Sequence, residues 1–281
     1  MPERPIGRVS ILGLGLMGGS LARAITALEI ADRVTGWSPR STERDAALTA
    51  GAVGFASADW RQAVADADLV IMAVPLGPAV EMLPEVVATT PSTTTLSDVV
   101  SLKEPLAEVA RSADAAERWV GAHPMVGGAS SGFWASRADL YQGARVWLVP
   151  GEASESHRSR VEGLWQAVGA TTSEVGAEEH DRGVARCRHL AELVCSALAA
   201  LLADEGVVPS DPGPGGRDMT RLSSSSPTMW LDLFAHAGPD LVRGLRAVGQ
   251  EADRLADYVE TLDLAELSSV MRRTALWKEG R

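Results

Sequence analysis

The sequence predicts an α/β protein in which a doubly wound, mostly parallel sheet is followed by an all-α C-terminal domain. Three observations lead there: short apolar runs alternate with amphipathic segments over residues 1–176, strand-like runs then cease, and long helical periodicities fill the remainder. Val9–Leu12, Arg33–Trp37, Leu69–Val74, Thr94–Val99 and Arg118–Gly121 read as strands, with intervals long enough for crossover helices. Arg145–Pro150 and Thr171–Glu174 read as two further strands around a helix from about Ser154 to Val168. After Gly176, helices are expected over Glu178–Asp204, Pro227–Ala235, Asp240–Thr261 and Leu264–Trp277. The domains are therefore placed at 1–176 and 177–281. Pro209–Gly216 is rich enough in proline and glycine to read as a loop. The serine run Ser223–Ser226 reads as a cap, with Pro227 at the first helical position.

Composition excludes several classes. The chain has 281 residues, 46% apolar and 22% charged, which suits an ordered protein with two cores. The N-terminus enters an apolar strand without a charged segment and hydrophobic signal core, and the longest apolar helical stretch, Leu193–Leu202, is too short to span a bilayer. A cytoplasmic location is the expectation. Cys187 and Cys195 read as reduced structural thiols, and no metal site is expected. A net charge of −11 argues against a nucleic-acid partner, so an anionic ligand would have to meet local clusters of Arg and His.

Gly13-Leu14-Gly15-Leu16-Met17-Gly18 follows the first strand and opens a helix, the context in which glycines admit a pyrophosphate to a helix N-terminus. This is the Rossmann-like dinucleotide fingerprint, and Gly13, Gly15, Leu16, Met17 and Gly18 are the expected cofactor contacts, with Val74 and Pro75 after the Leu69–Val74 strand. At the end of the second strand, where a carboxylate would hold the ribose hydroxyls of NAD, the chain has Ser38, followed by Arg40. That substitution favours the 2′-phosphate of NADP, with NAD the alternative.

Ser97-Asp98-Val99-Val100-Ser101-Leu102-Lys103 lies at the C-terminal end of a strand, where open parallel sheets bind ligands. Ser101 and Glu104 also fit a capping box, a role compatible with offering a hydroxyl to a site. His123, followed at once by Pro124 in His123-Pro124-Met125-Val126-Gly127, reads as a rigidly held base in an open turn.

Taken in order, the glycine loop, Asp98–Lys103, His123–Gly127, His180-Asp181-Arg182, Arg188-His189-Leu190, Arg217–Arg221 and Pro227–Trp230 resemble the prephenate and arogenate dehydrogenases. The resemblance spans nearly the whole chain and implies NAD(P)-dependent oxidative decarboxylation of a prephenate-like cyclohexadienyl substrate, giving 4-hydroxyphenylpyruvate or tyrosine. It further implies that His123 accepts a hydrogen bond from the C4 hydroxyl, that Ser101 orients the histidine or that hydroxyl, and that Arg221 binds a substrate carboxylate through its planar fork. His189, Arg217 and Trp230 are the further substrate-side residues it implies.

Two departures bear on the substrate. Gly128-Ala129 stands where the family often has a hydroxyl residue and then glutamate, and Arg188-His189-Leu190-Ala191-Glu192 replaces a second histidine by Glu192. Arg188 and Glu192 either pair at i,i+4 or let Glu192 meet an ammonium, as on arogenate or 4-amino-4-deoxyprephenate. A hydroxyacid dehydrogenase or pyrroline carboxylate reductase would carry a catalytic lysine on the first long helix of the second domain, and Glu178–Asp204 has none. A non-catalytic dinucleotide sensor is opposed by the presence of both Ser101 and His123. Four helices with apolar stripes leave more apolar face than a small bundle buries, so a homodimer through the C-terminal helices is expected.

Overall fold

The computed structural model describes residues 6–127, 131–224 and 227–280. The chain divides into two compact units, Met1–Val184 with Ser225–His236, and Ala185–Ser224 with Ala237–Arg281. The first unit is built on an eight-stranded sheet: β1 (Ile6–Leu12), β2 (Ala31–Trp37), β3 (Phe55–Ser57), β4 (Leu69–Met72), β5 (Thr95–Asp98), β6 (Trp119–Pro124), β7 (Arg145–Val149) and β8 (Thr171–Glu174). Their order is β3-β2-β1-β4-β5-β6-β7-β8. Every pair is parallel except β6 with β7, where His123 faces Trp147 in register. The chain reverses its winding between β1 and β4, which places the glycine loop at the switch point where such sheets take ligands. The predicted doubly wound architecture is thus observed, with β3 as an added edge strand of three residues, too short to show an apolar pattern.

Helices α1 (Leu16–Ala27), α2 (Ser41–Thr49), α3 (Trp60–Val64), α4 (Leu76–Thr89), α5 (Glu104–Ser112), α6 (Glu155–Ala167) and α7 (Ala177–Val184) belong to the same unit. One core joins β1 and β4 to Leu21 and Ile25 of α1 and to Val161, Leu164 and Trp165 of α6. A second core joins Leu76, Ala79 and Leu83 of α4 to Leu106 of α5 and to Val70, Met72 and Leu96. Central strands covered on both faces explain the near-continuous apolar runs from which they were read.

The second unit opens with a π-helical turn, Ala185–His189, followed by α8 (Leu190–Asp204) and α9 (Pro214–Thr220). The first unit then regains the chain for α10 (Pro227–Ala235), whose Trp230 and Leu233 are buried in the second core. The second unit resumes with α11 (Pro239–Glu260) and α12 (Leu264–Lys278). Here α8 packs on α11, where a Cβ on Gly244 would meet Leu190 at 3.2 Å. The loop expected over Pro209–Gly216 ends at Gly213, because Pro214 occupies the first turn of α9, where its missing N–H costs nothing. Among the described residues, no helix is long and apolar enough to cross a membrane.

Candidate active site

The glycine loop is shaped by close approach. Gly13 has φ +109°, and a Cβ there would lie 2.4 Å from the Ala73 carbonyl oxygen. A Cβ on Gly18 would lie 1.9 Å from the Gly13 oxygen, so only glycine lets α1 start this close to β1. Gly15 differs: nothing lies within 4 Å of its Cβ direction. Gly15 is the N-cap of α1 and supplies no side-chain cap, so the amides of the first turn face an open cradle suited to a pyrophosphate. The Tyr141 hydroxyl donates to the Met17 carbonyl at 2.7 Å and fixes that turn from the far side of the sequence. The residues present therefore fit a dinucleotide.

At the end of β2, Ser38 is fully buried and donates to Glu43 Oε2 at 2.5 Å, while Arg40 Nη1 meets Glu43 Oε1 at 3.0 Å. Arg44 Nη1 donates to the Ser38 carbonyl at 2.6 Å. Arg40 thus has an acidic neighbour and a second guanidinium beside it, neither of which the sequence reading singled out. Val74 precedes Pro75, the N-cap of α4, and the first turn of that helix is held by Asp232 of α10, whose carboxylate accepts from Gly77 N at 3.0 and 3.1 Å.

His123 sits near the end of β6, buried, one strand over from Ser101, which follows β5. Beneath it runs a chain of polar contacts. His123 Nδ1 lies 2.9 Å from His180 Nε2, and His180 Nδ1 lies 2.6 Å from Asp181 Oδ1. Asp181 also accepts from Lys103 N at 2.8 and 3.0 Å and from Glu104 N at 2.9 Å. The capping box expected of Ser101 with Glu104 is therefore not formed: α5 begins at Glu104 with Lys103 as N-cap, and Asp181 of α7 satisfies its amides instead.

Lys103 is fully buried, paired with Asp98 and donating to the Ala122 carbonyl at 2.7 Å, directly before His123. Burial pushes the Asp98 carboxyl up and the Lys103 amine down, each opposed by the charge of the other. Gly121 makes room for this lysine: a Cβ there would meet Lys103 Cδ at 3.0 Å and the Trp119 ring at 2.7 Å. A lysine next to a helix start reads as solvated surface, so the role of Lys103 is hidden in the sequence even though the Asp98–Lys103 stretch lies at a strand end.

Trp230 is buried in the core and stacks on Phe234 with ring centroids 5.3 Å apart. The other substrate-side candidates belong to the second unit. His189 ends the π-helical turn, a distortion frequent at functional sites. Glu192 is buried on α8, and its charge opposes the downward shift that burial imposes on Arg188. Arg217 is exposed on α9 and donates to the Pro212 carbonyl at 2.9 Å; Arg221 is exposed in the 3₁₀ turn Arg221–Ser224. Gly128 and Ala129 lie outside the described residues.

A glycine cradle at the switch point of a doubly wound sheet, with a held histidine at the end of another strand of that sheet, defines a nicotinamide-dinucleotide-dependent dehydrogenase. Two family models divide the chain between them: the prephenate dehydrogenase nucleotide-binding domain matches residues 21–174, and the prephenate dehydrogenase dimerization domain matches residues 176–273. The chain belongs to the prephenate dehydrogenase family. It is 28% identical over 279 residues to the prephenate dehydrogenase of Bacillus subtilis, covering 97% of this chain and 75% of the relative. It is 25% identical over 240 residues to the cyclohexadienyl dehydrogenase of Zymomonas mobilis, covering 83% and 82%. Its fold matches that of the A. aeolicus prephenate dehydrogenase, solved with hydroxyphenyl propionate and NAD+, at a TM-score of 0.88 and 22% identity, covering 98% of each chain.

Proposed function

We propose that this protein oxidatively decarboxylates prephenate with NADP as its preferred cofactor, acting in the cytoplasm as a homodimer. The observation that carries the reading is His123, buried at the end of β6 in the same sheet whose β1 leads into the glycine cradle, with one ring nitrogen engaged by a histidine–aspartate pair. Prephenate loses hydride from C4, then carbon dioxide, and aromatisation makes the step irreversible. The nicotinamide supplies the hydride acceptor when bound. His123 accepts a hydrogen bond from the C4 hydroxyl as the hydride leaves, and Ser101 orients that hydroxyl. Arg221 holds a substrate carboxylate, with His189, Arg217 and Trp230 as further substrate-side residues.

Prephenate is proposed over its amino-bearing relatives because Glu192 already has a cation in Arg188 and does not require a substrate ammonium. NADP is proposed because Ser38 replaces the ribose-binding carboxylate and two guanidiniums, Arg40 and Arg44, flank it at the start of α2. A second reading, NAD, is favoured by Glu43, which neutralises Arg40 and lies on Ser38. Turnover of prephenate, arogenate and 4-amino-4-deoxyprephenate with NAD and NADP in parallel tests all of this. Prephenate with NADP should give the highest kcat/KM; a clear preference for an amino-bearing substrate, lost in Glu192→Gln, overturns the substrate choice. Removing both guanidiniums in an Arg40→Ala, Arg44→Ala variant should lower kcat/KM for NADP by at least about tenfold and leave that for NAD unchanged.

The dimer rests on the apolar side chains that α11 and α12 leave exposed, among them Val259, Leu264, Met271 and Trp277.

A further inference from the structure

We propose that His180 and Asp181 are positioning residues that fix the tautomer of His123, placing its proton on Nδ1 and its lone pair on Nε2. The proposal rests on the reading of His123 as the hydrogen-bond acceptor for the substrate hydroxyl, and it assigns a cause for that ability.

The assignment follows from which groups can only donate. The backbone amides of Lys103 and Glu104 donate to the two Asp181 oxygens at 2.8–3.0 Å, so the carboxylate is anchored as an acceptor at the start of α5. Its Oδ1 also lies 2.6 Å from His180 Nδ1, which must therefore carry a hydrogen. In neutral His180 the lone pair is then on Nε2. That nitrogen is 2.9 Å from His123 Nδ1, and two lone pairs cannot face each other at this distance. His123 Nδ1 is thus the donor, and its Nε2 is the acceptor. The opposite arrangement requires a doubly protonated His180, which would donate in both directions and leave His123 as an Nε2–H donor, useless for accepting a proton.

The setting favours the first arrangement. His123, His180 and Asp181 are 2%, 4% and 8% exposed, so the order of donors is not scrambled by solvent. The charged groups around His180 are Asp181 on α7 and the buried pair Asp98–Lys103, with Glu104 at the start of α5. The whole sequence of contacts lies on β5, β6, α5 and the adjoining α7, all in one unit.

Three variants of the intact enzyme and one spectroscopic measurement test this. In Asp181→Asn, the amide oxygen keeps the two backbone donors while its NH2 faces His180 Nδ1. His180 then flips to the Nε2–H tautomer and His123 to the wrong one, and kcat should fall about 10²–10⁴-fold, the upper end being the scale seen when a serine-protease aspartate is made an amide. His180→Phe fills the space without hydrogen bonds, and should lower kcat at least about 10²-fold with little change in KM. His180→Gln can donate to Asp181 and accept from His123, and should retain turnover to within about tenfold. In uniformly 15N-histidine-labelled wild type, assigned by loss of the His123→Asn signal, His123 should show a protonated Nδ1 and an unprotonated Nε2. A wild-type His123 protonated on Nε2 overturns the proposal, whatever the variants do. So does a folded His180→Phe with wild-type kcat and an unchanged His123 signature. His123→Asn with full turnover would instead overturn the acceptor role on which the proposal rests, a result that the wild-type spectrum does not produce.

Discussion

Gly15 and Gly18 sit three positions apart and answer to different demands. A Cβ on Gly18 collides with backbone at 1.9 Å, whereas one on Gly15 meets nothing within 4 Å. Gly18→Ala should therefore destabilise the protein by roughly 1–3 kcal/mol, read as a lower urea midpoint. Gly15→Ala should leave the midpoint unchanged and raise the dissociation constant for the cofactor at least about tenfold, because its methyl fills the cradle rather than the core. A Gly15→Ala variant with wild-type cofactor affinity would place the pyrophosphate elsewhere. At the strand end, His123→Asn should lower kcat by about 10²–10⁴-fold while preserving cofactor affinity measured by fluorescence titration. The glycine loop and His123 were legible because each is a local signal: a hexamer between strand and helix, and a histidine rigidified by proline. His180, Asp181 and Lys103 stand in stretches that carry the family resemblance, but their contacts with one another and with His123 were not legible, because polar side chains near helix starts look solvated until the fold buries them.

Among the elements, the start of α5 and the end of β6 are joined by Lys103, which pairs with Asp98 and bonds the Ala122 carbonyl. Asp98 Oδ2 finds no hydrogen-bond partner among the described residues, so this carboxylate depends heavily on the lysine. Lys103→Met should cost roughly 3–5 kcal/mol by leaving a buried charge uncompensated, and the Asp98→Asn, Lys103→Met double variant should recover part of that loss in chemical denaturation. A double variant no more stable than the single one would mean that the lysine acts through packing alone. The long strands and helices of the sheet were readable from apolar runs and 3.6-residue periodicity. Phe55–Ser57 and Pro214–Thr220 were not, the first for want of length and the second because its proline and glycines mimic a loop. The capping box at Ser101 was misread for a different reason: the competing cap, Asp181, comes from a helix 77 residues further along the chain.

For the whole molecule, the proposed homodimer turns on the apolar side chains that the C-terminal helices leave exposed. Trp277 is 77% exposed and Leu264 65%, on a helix with no buried residue. Light scattering after size exclusion should give twice the chain mass at micromolar concentration, and a Met271→Glu, Trp277→Glu variant should give the monomer. A monomeric wild type would refute the homodimer.

The path of the chain also limits how this protein can be cut. Because α10 returns to the first unit after the chain has already visited the second, the sheet-bearing half is not a contiguous N-terminal piece. A fragment ending near Gly176 would lack both Asp232, which caps α4, and the Trp230 and Leu233 side chains, which complete its second core. Loss of those two buried side chains alone forgoes about 3–6 kcal/mol, comparable to the net stability of many domains. Such a fragment should aggregate or unfold, and appending Pro227–His236 through a short linker should rescue it. Dissection at the obvious sequence boundary would therefore give a misleading picture of how autonomous the nucleotide-binding half is.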